Sequence, residues 1–214
     1  MPDANPVSDA MARLPDTNVA DAGAGDAAPV ADAGGAPDAG PTTVTVRFIG
    51  ALVGPAKANG DPWDFDGSSI SEEGKAALAQ ALLGANPYAS VLALMSGPLL
   101  SPVAKPDPFG TVTVETATGS QTFPIATEAQ APADSFALTA ASPPGWRGVT
   151  LGRDIRFLVN LWDSDLVNND PIGTAEINMD DVKAALAAER VYHVKVSDQT
   201  FGTILFVDIS VIAD

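Results

Sequence analysis

The chain contains no cysteine. This excludes disulfides, thiolate metal ligands and a cysteine nucleophile, and it fits either redox compartment. Histidine occurs once, as His193. A Ser-His-Asp arrangement would have to use it, and no G-x-S-x-G stretch supplies the serine. Alternation along "YHVKV" sends His193 to the polar face of a strand, where a solvated side chain is expected rather than a base. Aromatics make up 6% of the chain, too few for the aromatic cleft that would make a glycosidase of paired carboxylates. Positive charge is scarce, with 11 Lys and Arg against 27 Asp and Glu and a net charge of −16. Phosphate binding needs the opposite balance, which argues against nucleic acid. Anionic lipid is repelled for the same reason unless a bound cation reverses the local field. No run of about 18 apolar residues is present to span a membrane. The N-terminus lacks the basic and apolar regions of a signal peptide; if the protein is exported, its signal is expected upstream of this chain or already removed.

What is present divides the 214 residues into two textures. Residues 1–41, ending "ADAGGAPDAGP", are almost entirely Ala, Asp, Gly and Pro, without an aromatic. Such a segment buries too little apolar surface to offset its ordering entropy, and a disordered tether is expected. It resembles the spacers that hold bacterial lipoprotein domains away from a membrane. That resemblance implies a place in the cell envelope or outside the cell, with the cytoplasm left open.

From Thr42 to Asp214 the sequence alternates in short runs. "VTVRF", "TVTVE", "DIRFLVNLW", "YHVKV" and "TILFVDISV" each place apolar residues at every second position, bounded by Gly, Pro, Asp and Asn. Period-2 patterns of this kind are strands. Weaker strands are expected in "QTFPIAT", "SFALTA" and "IGTAEINM". Eight short strands separated by turn chemistry predict an all-β protein, an antiparallel β-sandwich. Two helices interrupt it. "SEEGKAALAQALLG" opens on the N-cap candidate Ser71, carries Glu72 and Glu73 in its first turn and stops at Gly84. "DDVKAALAAE" is the second, starting at Asp180 or Asp181. Residues 85–106 are apolar but broken by prolines, so 67–106 is expected to be one insertion of a helix and a Pro-rich loop.

Two acidic clusters carry the chemistry. In "NLWDSDLVNNDPIG", alternation puts Asp163 and Asp165 on one side of a strand end, and Asp170 returns across a short loop. Carboxylates held together repel unless a cation sits between them, and calcium takes six to eight hard oxygen ligands. The same stretch, taken alone, reads equally well as a polar turn chosen for the backbone tolerance of Asn and Asp. "GDPWDFDGSS" contributes Asp61, Asp64 and Asp66 after the first strand, and "KPDPFGTVTV" sets Asp107 ahead of the second. An EF-hand reading of the first cluster fails: with Asp64 as position 1, Ser69 stands where Gly is needed and Lys75 where Glu should chelate.

With both clusters in view the chain resembles a C2 domain, the calcium- and lipid-binding β-sandwich, over roughly residues 43–212. The early-loop aspartate looks like Asp64 or Asp66. The D-P-F element is Asp107, Pro108 and Phe109. The late loop is Asp163, Asp165 and Asp170, followed by Ile172 and Gly173, and "FGTILFVDISVI" resembles the closing strand. The resemblance implies Ca2+ as cofactor, held by Asp64, Asp66, Asp107, Asp163, Asp165 and Asp170. It also implies attachment to anionic phospholipid or to an envelope protein, without catalysis. Because the Gly-led strand closes the chain, the family's circularly permuted strand order is expected. Trp63, Phe65, Leu166 and Val167 flank the acidic loops. Each is either a core residue or an exposed wedge for a membrane or partner. The rival functional expectation is a metal-independent structural or interaction domain of a bacterial surface lipoprotein, whose acidic loops only keep it soluble.

Overall fold

The structure, a computed structural model, describes residues 42–64, 67–152, 155–165, 168–196 and 204–214. The chain divides into two units, Met1–Asp38 and Ala39–Asp214. The first lies outside the described residues, as does the whole expected tether over 1–41.

Nine described strands form two antiparallel sheets that pack as a β-sandwich: β1 (Thr43–Val53), β2 (Pro108–Thr116), β3 (Gly119–Ala126), β4 (Ala137–Thr139), β5 (Gly145–Thr150), β6 (Arg156–Asp163), β7 (Asp170–Ile177), β8 (Tyr192–Lys195) and β9 (Ile204–Ala213). One sheet runs β4-β1-β9-β8, with β5 also against β1, and the other runs β3-β2-β6-β7. The closing strand β9 thus lies centrally, between β1 and β8. The strand beyond the expected eight is β5. Its sequence "GWRGVT" has no alternation, and only Val149 in it is buried. It forms because β1 offers a free edge over Thr43–Arg47 while β4 takes the same edge over Gly50–Leu52.

Between the sheets sits the main core, built from the alternate residues that the period-2 pattern places inward. Val44, Val46 and Phe48 of β1 meet Val112 of β2, Phe157, Val159 and Leu161 of β6, and Val207 and Ile209 of β9. Burial of this apolar surface is what holds the two sheets together.

The segment between β1 and β2 holds two helices, α1 (Glu72–Leu83) and α2 (Pro87–Met95), where one was expected. α1 begins as expected, with the Ser71 hydroxyl accepting from the Gly74 N–H at 3.1 Å. α2 was hidden by its proline. Pro87 stands in the first turn, where a helix needs no N–H from it, so it opens the helix rather than breaking it. The pair covers the outer face of the β1/β9 sheet. Leu78 of α1 and Val91 and Met95 of α2 bury against Leu52, Leu205 and Phe206. This second core explains why β1 is buried almost continuously from Gly50 to Val53 instead of at alternate residues. A third helix, α3 (Met179–Ala188), follows β7 and is capped by Asn178, whose Oδ1 accepts from the Asp180 and Asp181 N–H groups at 2.8 and 3.1 Å.

Candidate functional site

The site is the pole of the sandwich where β1 and β6 end and β2 and β7 begin. Along β6 the inward row is Phe157, Val159, Leu161 and then Asp163, which is 2% exposed. A carboxylate therefore stands where the pattern calls for an apolar residue. Register brings its neighbours alongside: Asp163 faces Pro108 of β2 on one side and Asp170 of β7 on the other. Asp107 directly precedes β2, and its backbone N–H donates to Asp163 Oδ1 at 2.6 Å. The Ser164 N–H returns a bond to the Asp107 carbonyl at 3.0 Å. Asp163 Oδ2, by contrast, is buried with no hydrogen-bond partner among the described residues. A buried polar atom of this kind is costly unless something supplies the missing interaction.

The electrostatics agree with the geometry. Burial pushes the Asp163 carboxyl up to about 6; the Asp107 hydrogen bond opposes this, and the charges of Asp165, Asp64 and Asp107 add to it. Asp165 is raised too, first by burial and then by Asp170, with Lys57 acting in the opposite sense. Five of the six sequence-predicted ligand residues, Asp64, Asp107, Asp163, Asp165 and Asp170, thus belong to one acidic pole. Asp66 lies outside the described residues.

As placed, they do not converge on a common point. Among the described residues, no three His, Cys, Asp or Glu side chains are gathered closely enough to hold a metal ion. Two of the carboxylates are engaged elsewhere. Asp107 Oδ1 accepts from the Asp134 N–H at 2.6 Å. Asp170 is ion-paired with Lys57, which reaches across from the loop after β1. Sequence reasoning missed Lys57 entirely. The only signal was that "AKANGD" sits in the loop leading to the first acidic cluster. Nothing in the one-dimensional pattern announced that this loop meets β7.

The four residues expected to flank the site divide differently. Trp63 is 1% exposed and its indole N–H donates to the Gly54 carbonyl at 2.9 Å. It is a core residue, which corrects the expectation of a wedge: the loop folds back and buries the ring against the sandwich. Phe65, Leu166 and Val167 lie outside the described residues. The late loop is braced by Asn169, whose Oδ1 accepts from the Asp165 N–H at 3.1 Å.

A second polar cluster lies on the outer sheet face, and it gives the part-exposed His193 partners that the sequence did not announce. The ring of Tyr88, on α2, stacks on His193 of β8 with centroids 3.4 Å apart and planes 6° from parallel. His193 Nδ1 and Asp208 Oδ1 are 2.7 Å apart, and the Tyr88 hydroxyl donates to Asp208 Oδ2 at 3.2 Å. The helical insertion covers this face in part: the His193 side chain keeps 35% exposure, and Lys195 further along β8 is exposed. Burial, then the Asp208 charge, pushes the Tyr88 hydroxyl up to about 12.

No protein-family model matches the sequence, and no curated protein does. Among solved structures, the chain is similar to human GIVD cytosolic phospholipase A2 in complex with methyl gamma-linolenyl fluorophosphonate and terbium chloride. Identity there is 11% and the TM-score 0.42, over 81% of this chain and 18% of that one. It is similar to the two calcium-bound C2 domains of extended synaptotagmin 2, at 13% identity and TM-score 0.41, over 81% and 46% of the two chains. A C2 domain of plant extended synaptotagmin 1 gives 9% identity and TM-score 0.40, over 81% and 95%. The chain spans less than half of the first two proteins. Likeness at this level is loose, and the weight of a functional reading falls on the site's own geometry.

Proposed function

We propose that the domain is a non-enzymatic, C2-like calcium-binding module that attaches through its acidic pole to anionic phospholipid or to a protein of the cell envelope. The observation that carries this is the bare Oδ2 of Asp163, buried at the end of an otherwise apolar row and surrounded by the charges of Asp64, Asp107 and Asp165. Every donor there is a hard oxygen, which suits calcium rather than zinc or copper. Asp163, Asp165 and Asp170 would hold the ion from the β6–β7 loop, and Asp64 and Asp107 from the opposite loops. Bound calcium would supply positive charge to a molecule of net charge −16, so that lipid phosphate could approach. Phe65, Leu166 and Val167 are the proposed apolar contacts. The Ala/Asp/Gly/Pro segment before Thr42 fits a spacer of a bacterial lipoprotein at the envelope or outside the cell.

One observation favours a second reading, a metal-independent structural or interaction domain: the Lys57–Asp170 pair already sets a cation among these carboxylates. Thermal unfolding with and without millimolar calcium separates the two. A ligand that binds only the folded state at a hundredfold above its dissociation constant adds about 2.7 kcal/mol. A midpoint indifferent to calcium would sink the first reading. Co-sedimentation with anionic vesicles, dependent on calcium and weakened by salt, tests the attachment.

A further inference from the structure

The position of Lys57 deepens the calcium reading, on which this inference rests. We propose that the Lys57 ammonium is a built-in competitor for the divalent cation, standing among the site's carboxylates and displaced from them when the ion binds. The chain around it is arranged to present that side chain. Lys57 sits in a tight turn, its N–H donating to the Asp61 carbonyl at 2.9 Å and its carbonyl accepting from the Gly60 N–H at 2.8 Å. Gly60 has φ +88, a left-handed conformation that L side chains rarely adopt, so this turn is made for glycine. The lysine ammonium stands over the Trp63 ring, with Nζ 6.0 Å from the ring centroid. Trp63 is itself pinned to the Gly54 carbonyl. A turn and a buried indole therefore direct the ammonium onto Asp170, 113 residues away in sequence.

The ammonium acts on more than its partner. The charges of Asp165 and Asp163 also bear on it, so one positive group serves three carboxylates of the β6–β7 loop. These are the same oxygens a divalent cation would need. An ion drawn to them would meet the ammonium at close range and be repelled, and Asp170 would have to release Lys57 before ligating. The lysine side chain suits this exchange: it is a strongly hydrated point charge on a flexible stem, and its side chain retains 24% exposure, so a swing into water is open to it. The bare Oδ2 of Asp163 is the part of the site that the ammonium does not satisfy. Lys57 thus holds the pole together without the ion, at the expense of affinity for it.

The test compares the full chain with Lys57→Gln and Lys57→Met, titrated with calcium chloride alone by calorimetry and melted with and without the metal. Lys57→Met keeps a long, unbranched side chain without the charge and guards against a mere packing defect. Lys75→Gln, at the exposed pair with Glu72, makes the same change in net charge away from the site. The expected result is a crossed pattern in both Lys57 variants: a lower melting midpoint without metal, and calcium affinity higher by about tenfold or more. Lys75→Gln should show neither change. A variant that binds calcium where the parent does not would support the competition while refuting calcium binding by the native chain. Equal affinity in parent and variants would overturn the competition and leave the calcium reading standing. Absence of binding in all of them would overturn both.

Discussion

The backbone N–H of Asp107 lies 2.6 Å from Oδ1 of Asp163, so one oxygen of this carboxylate is satisfied while its twin is buried bare. The folded-state value of about 6 stands above the 3.8 of an unperturbed carboxyl. The native state therefore binds the proton more tightly than the unfolded chain does. Its stabilising effect is fully present below the unfolded value and is lost as pH rises through 6. Metal-free protein is expected to lose up to about 3 kcal/mol of stability between about pH 4 and about pH 7 from this group. Denaturant melts across that range should show the fall, and Asp163→Asn should flatten most of it. Asp165 is raised in the same direction, so a residual slope is expected.

On the proposed reading, calcium and the proton would compete for Asp163. Replacing Asp163 and Asp165 together with Asn should abolish calcium stabilisation without unfolding the metal-free protein, whose like-charge repulsion is relieved. A control pair in the Ala/Asp/Gly/Pro-rich segment, Asp32→Asn with Asp38→Asn, should leave the calcium response unchanged. Should the two pairs behave alike in parallel thermal melts, the acidic pole is only solvated surface.

Tyr88 and His193 fasten α2 to the sheet through their stacked rings and shared partner Asp208. Tyr88→Phe keeps the ring and removes one hydrogen bond, an expected loss of about 1 kcal/mol. In the parent, alkaline absorbance titration should find a tyrosine ionising near 12. Asp208→Asn should bring that value down, because it removes a negative charge beside the hydroxyl. A Tyr88 titration indifferent to Asp208 would contradict the pairing.

The helical insertion shares a core with the sheet, so it is expected to unfold with it. Leu78, 1% exposed in the second core, is the test position. Leu78→Ala should cost about 2–5 kcal/mol and lower a single cooperative transition. A separate, earlier transition for the helices would show instead that they are an independent lobe.

How much of this was legible in the sequence depended on which interactions were local. The strands "VTVRF" and "DIRFLVNLW" were plain because alternation is written residue by residue, and α1 because Ser71 and Gly84 bracket it. The acidic pole was legible as two clusters. Burial of Asp163 was visible in principle, since extending Phe157, Val159 and Leu161 by two residues reaches it. What could not be seen were the results of distant segments meeting. β5 exists because β1 has an edge to share, and Trp63 is buried because its loop folds back. Lys57 reaches Asp170 only once the sandwich is closed, and His193 gains its stacking partner only once α2 lies over β8. α2 itself was missed for a local reason: a proline that ends a helix in one position begins it in another.

The run of β1 has a mechanical consequence. Its first residues pair with β5 and with the end of β9 at one pole, and its last residue enters the loop of Lys57 at the other. Its 11 residues span about 35 Å at the usual rise for a strand. A pull between residue 42 and the acidic pole would be transmitted along β1, straining its rungs to β9 in shear and all at once. The same pull applied across the sheet would open the rungs one by one. The domain is built to stay closed under tension along that axis, and to yield far more readily when peeled from the side.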